Sequence, residues 1–357
     1  MKTMKGVLLG GGHGTRLRPL THTGNKHMLP IANKPILIYG LEAIRDAGIK
    51  DIGIILGPTK EGIIETIGNG SKYGVRVTYI DQPEPKGLAH AVLLAEDFVK
   101  DDPFVMYLGD NLLKKGITYL VEDFRKSDYD AMVALTKVKD PRRFGVAEVK
   151  EGRLVRVVEK PKEPRSDLAL TGIYMFTVAI IDAAKHIKPS WRNELEITDA
   201  IQKLIEEGHK VGYDMVDGWW KDTGKPEDLL EANQLVLSDI QPCNNGTVED
   251  DASVAGNVVI GERTVIRKNT TVRGPAIIGK DCRIGPDTYV GPYTSIGNNV
   301  TITGGEVENS IVMDGATIEC NLRIVDSLIG RDAKIASNPA KPRGSRFVLG
   351  DNTYIGI

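Results

Sequence analysis

The sequence predicts an α/β protein in two parts, a mostly parallel, Rossmann-like sheet over residues 1–240 and a parallel β-helix of hexapeptide repeats over residues 241–357. Three observations carry this. Short β-rich runs alternate with helical stretches in the first part, aliphatic residues recur every six positions in the second, and the pattern changes abruptly after "SDIQPCNN".

In the first part the β-rich runs are "KGVLL", "DIGIIL", "VRVTYI", "FVMYLG" and "YDAMVAL". Between them the spacing predicts helices over 35–47, 61–67, 88–98 and 116–126. Strand, helix and strand in this order read as βαβ units. "GVAEVKEGRLVRVVEKP" interrupts the rhythm and predicts a hairpin turning at "KEG". "KPEDLLEANQLVL" closes this part as a helix, with Pro226 in its first turn and acidic residues beside it.

In the second part Val248, Val254, Ile260, Ile266, Val272, Ile278, Ile284, Val290, Ile296 and Ile302 follow one another in steps of six. Glycine follows the aliphatic residue at Gly261, Gly279, Gly285, Gly291 and Gly297, and a small or β-branched residue often precedes it by two places, as at Thr264, Thr270, Cys282, Thr288 and Thr294. Each hexapeptide then forms one face of a coil, with its aliphatic residue turned into a shared core. The register slips near "TGGEVENS", resumes at Val312, Ile318 and Ile324, and again at Ile329 and Ile335; the aliphatic–glycine pair returns at Leu349–Gly350 and Ile355–Gly356.

The 41% hydrophobic and 26% charged content is that of a globular chain able to bury a core. A net charge of −2 argues against non-specific binding of nucleic acid or of a membrane surface. Cys243, Cys282 and Cys320 lie far apart without a C-x-x-C, so neither a disulfide framework nor a zinc site is expected, and a reducing cytoplasm fits. The start "MKTMKGVLLGGG" is too short and lacks the cleavage pattern for a signal peptide, and no run is long enough to span a membrane.

"LLGGGHGTRLRPLT" sets glycines beside Arg16 and Arg18. A dinucleotide fingerprint needs glycine where Leu17 stands, and a P-loop needs a G-K-[ST] that does not follow. What remains is backbone free to approach a ligand, next to planar, permanently charged forks. Taken alone, the stretch favours a solvated turn over a phosphate loop. Lys26 follows just before an apolar helix start, Asp110 stands past the end of "FVMYLG", and Asp222 lies in a turn before a helix. Carboxylates at the carboxyl ends of parallel strands are placed to hold Mg²⁺ against phosphates. Each acid singly fits a turn or a helix cap; together with the basic groups they outline a site for metal-assisted phosphoryl or nucleotidyl transfer.

The motifs "GGHGTRLRPLT", "NKHMLPIANKPIL", "DQPEPKGLAHAV", "FVMYLGDNLL", "RRFGVAEV", "VEKPKEP" and "WWKDTGKPEDLLEAN" resemble, in order, those of the sugar-1-phosphate nucleotidylyltransferases. The nearest pattern is that of the long thymidylyl-transferring members, which end in a left-handed β-helix. The resemblance implies Mg²⁺-assisted, in-line attack of glucose 1-phosphate on the α-phosphorus of dTTP, without a covalent enzyme intermediate. It implies that Arg16 grips the triphosphate, that Lys26 reaches the reacting phosphates, and that Asp110 and Asp222 hold Mg²⁺. It places Leu8 or Leu9, Gly11, Gly14, Thr15, Gln82 and Gly87 around the nucleotide, with Gln82 and Gly87 on the pyrimidine. It gives Glu159 to the sugar hydroxyls, Lys160 to the sugar phosphate, Gly145 room for the hexose, and sets Thr171 and Tyr174 near the sugar. A cytoplasmic homo-oligomer is implied as well.

Glutamine suits a pyrimidine edge, since it both donates and accepts. Adjacent Glu159 and Lys160 would leave a strand on opposite faces, so both reach one ligand only if the strand ends or bulges at Pro161. His13 stands where the family often has a smaller residue and is expected to face solvent; Asn25 stands where proline commonly precedes the lysine. UTP in place of dTTP, or another sugar 1-phosphate, stays open, because one methyl group separates the two bases. So does a bifunctional enzyme with acyl transfer in the β-helix, although none of the six histidines falls there. A non-catalytic homologue is disfavoured by the presence of Arg16, Lys26, Asp110 and Asp222.

Overall fold

In the first part, runs such as "GVLL", "IGIIL" and "FVMYL" are apolar at nearly every position, as strands covered on both faces must be. The computed structural model describes residues 3–12 and 14–337; the expectations for His13 and for the pairs at Leu349–Gly350 and Ile355–Gly356 lie outside the described residues. Strand Lys5–Leu9 lies between Asp51–Leu56 and Phe104–Leu108, parallel to both, and Arg76–Asp81 extends the parallel half. Alternate residues feed two cores. Val7, Leu9, Phe104 and Met106 join one, while Leu8, Val105 and Tyr107 join the other. Both neighbours of Lys5–Leu9 follow it in the chain, Asp51–Leu56 added on one side and Phe104–Leu108 later on the other, so the strand order reverses there. The loops after Leu9, Leu56, Asp81 and Leu108 therefore open onto one crevice.

The sheet has nine strands, a parallel half around Lys5–Leu9 joined to an antiparallel half. Leu168–Phe176, which the alternation did not single out, is its longest strand and pairs antiparallel with Phe104–Leu108, Ala131–Lys137 and Gly145–Lys150. It serves three neighbours because its register shifts between Leu170 and Tyr174, around Gly172. The hairpin forms as expected, with Gly145–Lys150 antiparallel to Arg153–Glu159. The helix expected over 88–98 is two helices, Leu88–Leu94 and Glu96–Val99.

By contact, the chain divides into two units, Met1–Ala232 and Asn233–Ile357, with the division inside helix Pro226–Leu237. The buried Asn233 accounts for this. It donates to Tyr293 O at 2.9 Å and accepts from Ser295 Oγ at 2.6 Å, while Gln234 donates to Asn309 at 2.7 Å.

Among the described residues the second unit stacks short strands in three parallel sheets of six, six and five, the arrangement of a left-handed β-helix. Val258 pairs with Ala276 and Ala276 with Thr294, so one coil takes 18 residues, or three hexapeptides. The aliphatic columns form one apolar core. Residues two places earlier tie the coils together, as where Thr264 Oγ1 donates to Gly279 O at 2.6 Å and Cys282 Sγ to Gly297 O at 3.0 Å. A Cβ at Gly261 would lie 2.5 Å from the Gly279 carbonyl, so stacked coils admit only glycine there. The register slip has a simple form. Buried Val307 falls five places after Ile302 and five before Val312, and Gly304 and Gly305 take up the shortened corner at φ of 69° and 74°.

Candidate active site

The glycine loop leaves strand Lys5–Leu9 with Gly10 N donating to Ile55 O at 2.8 Å. Asn25 holds it from the other side. Its buried amide donates to Gly10 O at 3.0 Å and Thr59 O at 3.1 Å, while its Oδ1 accepts from His27 N at 2.9 Å. Proline could make none of these bonds, which gives the departure at this position a structural reason. Gly14, at φ 58°, starts the short helix Thr15–Leu17, and Thr21 Oγ1 donates to Gly14 O at 2.7 Å. Arg16 and Thr15 are exposed on this turn.

Lys26 opens the turn Lys26–Met28 and runs along the loop, its Cε 3.5 Å from where a Cβ on Gly12 would sit. Its ammonium is bonded to Asp110, and both side chains are largely buried. Asp110 follows Phe104–Leu108 by one glycine. Burial raises the Asp110 pKa, but the Lys26 ammonium and the hydrogen bonds more than offset it and hold the group at about 2.

Strand pairing brings the second carboxylate in. Asn111–Leu113 and Trp220–Asp222 form a two-stranded antiparallel ribbon in which Asp222 stands opposite Asn111. Thr223 fastens it, its N–H and its hydroxyl donating to Asp110 O at 3.0 and 2.8 Å. Trp220 Nε1 donates to Asn111 Oδ1 at 2.8 Å, and Asn111 Nδ2 to Asp110 Oδ1 at 3.1 Å. Burial and then the Asp110 charge push Asp222 up to about 6. A point over Gly224 lies 3.3 Å from Asp222 Oδ2 and 3.6 Å from an Arg16 guanidinium nitrogen, so Arg16 reaches the same place.

Two half-buried, mutually repelling carboxylates are a donor set for a hard divalent cation. Among the described residues no group of three or more His, Cys, Asp or Glu is placed to hold a metal. Mg²⁺ binds through one or two carboxylates and fills its other positions with substrate phosphate and water, so the pair fits it.

Beside this centre the crevice deepens into a cavity of about 190 Å³, lined by Leu9, Gly11, Gly12, Gln82, Gly87 and Asp110, among others. Gln82 is buried at the end of Arg76–Asp81, its N–H donating to Leu56 O at 2.7 Å. Gly87, at φ 107°, caps helix Leu88–Leu94, and its carbonyl faces Gln82 Nε2 at 3.5 Å.

Farther along lie the other expected residues. Glu159 ends its strand, and Lys160 then adopts φ 40°, which brings its ammonium back to 3.4 Å from Glu159 Oε1. The strand ends at Glu159, and the turned backbone lets both side chains share a face. A Cβ on Gly145 would lie 3.3 Å from Glu159 Oε2, and Thr198 Oγ1 donates to the same oxygen at 3.4 Å. Burial raises the Glu159 pKa, with Lys160 and Arg192 opposing and Glu196 adding to it.

Three of the expected residues have side chains inside the sheet rather than on the cavity. Leu8 does not line the cavity; its side chain is wholly buried in the opposite core, and Leu9 takes the place because it faces the other way. Thr171 is buried and spends its hydroxyl on Ala134 O at 2.9 Å. Tyr174 is buried and stacked on Phe176, with ring centroids 5.7 Å apart. Several residues were not anticipated. Arg192 joins Glu159, Glu194 and Glu196 by ion pairs at 3.5, 2.9 and 3.3 Å, and His27, buried and held neutral at about 3 first by burial and then by Lys26, lines the cavity. His27 and Asn25 lie in the "NKHM" motif and were within reach of the sequence. Nothing local marks Arg192.

The Nucleotidyl transferase family model matches residues 5–239, and the GMPPB C-terminal domain model matches residues 272–355. The low-salt glycan biosynthesis nucleotidyltransferase Agl11 of Haloferax volcanii is 54% identical over 357 residues, 99% of this chain and 100% of that protein. A glucose-1-phosphate thymidylyltransferase of Streptomyces antibioticus is 49% identical over 356 residues, 99% of each chain. A Bacillus anthracis structure solved with sucrose and described as a glucose-1-phosphate thymidylyltransferase superposes with a TM-score of 0.63 at 40% identity, over 68% of this chain and 98% of its own.

Proposed function

Since the chain belongs to the sugar-1-phosphate nucleotidylyltransferase family, we propose that it transfers a thymidylyl group from dTTP to glucose 1-phosphate, releasing pyrophosphate. The observation that carries this reading is the pairing of Asp222 opposite Asn111, which sets two carboxylates beside Lys26 at the mouth of the glycine loop.

In this reading a phosphate oxygen of the sugar ester attacks the α-phosphorus in line and pyrophosphate leaves opposite. Two polyanions must be held together, so the work of the chain is positioning and charge neutralisation. Lys26 lies along the loop where the reacting phosphates meet, and Arg16 takes the triphosphate. Gly11, Gly14 and Thr15 offer backbone to it. Gln82 and Gly87 take the pyrimidine. Glu159 takes sugar hydroxyls, Lys160 takes the sugar phosphate, and Gly145 leaves room for the hexose. Asp110 and Asp222 would hold Mg²⁺, which would supply Lewis-acid polarisation of the phosphate oxygens. The test is pyrophosphate release over a grid of dTTP, UTP and other triphosphates against several sugar 1-phosphates, with Mg²⁺ or with chelator. The highest kcat/KM is expected for dTTP with glucose 1-phosphate, and a clear preference for another pair would displace this assignment.

The β-helix serves as a scaffold for a closed homo-oligomer, since stacked coils leave an end or a face to be covered. A reducing compartment such as the cytoplasm suits the three free cysteines, and among the described residues no helix is long and apolar enough to cross a membrane. Ending the chain near Pro242 removes the partners of Asn233 and Gln234. Thermal stability and solution size are expected to fall while pyrophosphate release stays measurable. Consumption of acetyl-coenzyme A by the intact protein with amino sugars, lost on truncation, would overturn the scaffold role.

A further inference from the structure

The buried Gln82 carboxamide has an orientation, and something must hold it. Its Nε2 lies 3.1 Å from His90 Nδ1 and 3.5 Å from Gly87 O. A backbone carbonyl only accepts, so the nitrogen must face that side. At 3.5 Å that contact is at the limit of a hydrogen bond, and the shorter one to His90 carries more of the restraint. His90 Nδ1 accepts only in the neutral ring with its proton on Nε2. Burial, then the Lys86 ammonium, lowers the His90 pKa and favours that form, with Glu84 opposing. The Gln82 Oε1 atom is left on the cavity side, 3.4 Å from where a Cβ on Gly11 would sit.

Resting on the assignment of Gln82 to the nucleobase, we propose that His90 is a positioning residue for base specificity: by accepting from Gln82 Nε2 it keeps Oε1 toward the base and so selects thymine or uracil over cytosine. Thymine and uracil present N3–H, a donor that Oε1 accepts. Cytosine presents a bare N3 there, and two acceptors would face each other. A carboxamide free to rotate would offer its NH₂ to cytosine and lose the distinction. His90 sits on helix Leu88–Leu94, one turn in from Gly87, so the same helix start that approaches the base also carries its restraint.

The experiment measures kcat/KM for dTTP and for CTP at saturating glucose 1-phosphate, in the full chain and in His90→Leu, His90→Asn and Gln82→Leu variants. His90→Leu is expected to lower the dTTP-to-CTP ratio about tenfold or more, chiefly through the KM for nucleotide, with the KM for glucose 1-phosphate unchanged. His90→Asn keeps an acceptor near the Nδ1 position and is expected to restore most of the ratio. Gln82→Leu should lower it as well. If His90→Leu keeps the ratio while Gln82→Leu loses it, the role of His90 is overturned and the base assignment stands. If Gln82→Leu keeps the ratio, both are overturned. Equal losses in His90→Leu and His90→Asn also overturn the proposal, because a packing role predicts that result.

Discussion

Asp222→Asn is expected to lower turnover by about 100-fold or more, the scale seen when one preorganised charge is removed from a transition state, without weakening the fold. The two effects separate because Asp222 is held against its own preference. Burial and the Asp110 carboxylate push its pKa up to about 6 from a usual 3.8. An acid whose folded pKa is raised destabilises the fold when ionised; the penalty is complete above about pH 6 and fades toward pH 4. In chelator, therefore, Asp222→Asn should raise the unfolding midpoint near neutral pH and change it little in mild acid. Asp110→Asn should lower turnover as far, but with the opposite sign on stability, because it leaves the Lys26 ammonium without its partner. Turnover rates and melting curves of both variants check this. An Asp222→Asn enzyme with near-normal turnover at saturating Mg²⁺ removes Asp222 from the reaction.

Gly87→Ala is expected to be the most damaging single-methyl change in the first unit. The added Cβ would lie 2.3 Å from Leu195 O and 2.6 Å from Leu195 N, at a φ of 107° that side chains rarely adopt. Neither neighbour is a flexible side-chain end. Both are backbone atoms already bonded, Ala89 N donating to Leu195 O at 3.0 Å and Leu195 N to Lys86 O at 2.7 Å. Opening that clamp forfeits two backbone bonds and adds backbone strain, together about 3 kcal/mol. For a unit of this size the unfolding midpoint should fall by about 6–12 °C. The Gly87 carbonyl also faces Gln82, so the KM for nucleotide should rise while that for glucose 1-phosphate changes less. An unshifted melting curve would show that the Leu195 segment can withdraw freely.

The residues that could be read without coordinates are those whose meaning is local. Inward residues of the β-helix recur every six positions because each hexapeptide makes one face, so the columns from Val248 to Ile302 are visible in the chain itself. The glycine loop and Asp110 stand at the carboxyl ends of apolar runs, which share one crevice in a parallel sheet, and Lys26 follows that loop in the "NKHM" motif. What the chain could not disclose depends on register and on backbone angles. Leu8 and Leu9 are chemically equivalent, and only the pleat of strand Lys5–Leu9 decides which one meets the cavity. Lys160 joins Glu159 on one face because the backbone turns to φ 40° just past the strand. Val307 keeps its column through a corner shortened by one residue, which breaks the periodicity that would have revealed it. Arg192 reaches Glu159 across 33 residues, and Asp222 meets Asn111 across a ribbon whose strands are far apart in the chain. Composition and period specify which side chains are buried and which elements form. Which polar groups meet inside the crevice is decided by strand pairing, because a shift of one residue turns every side chain of a strand to its other face.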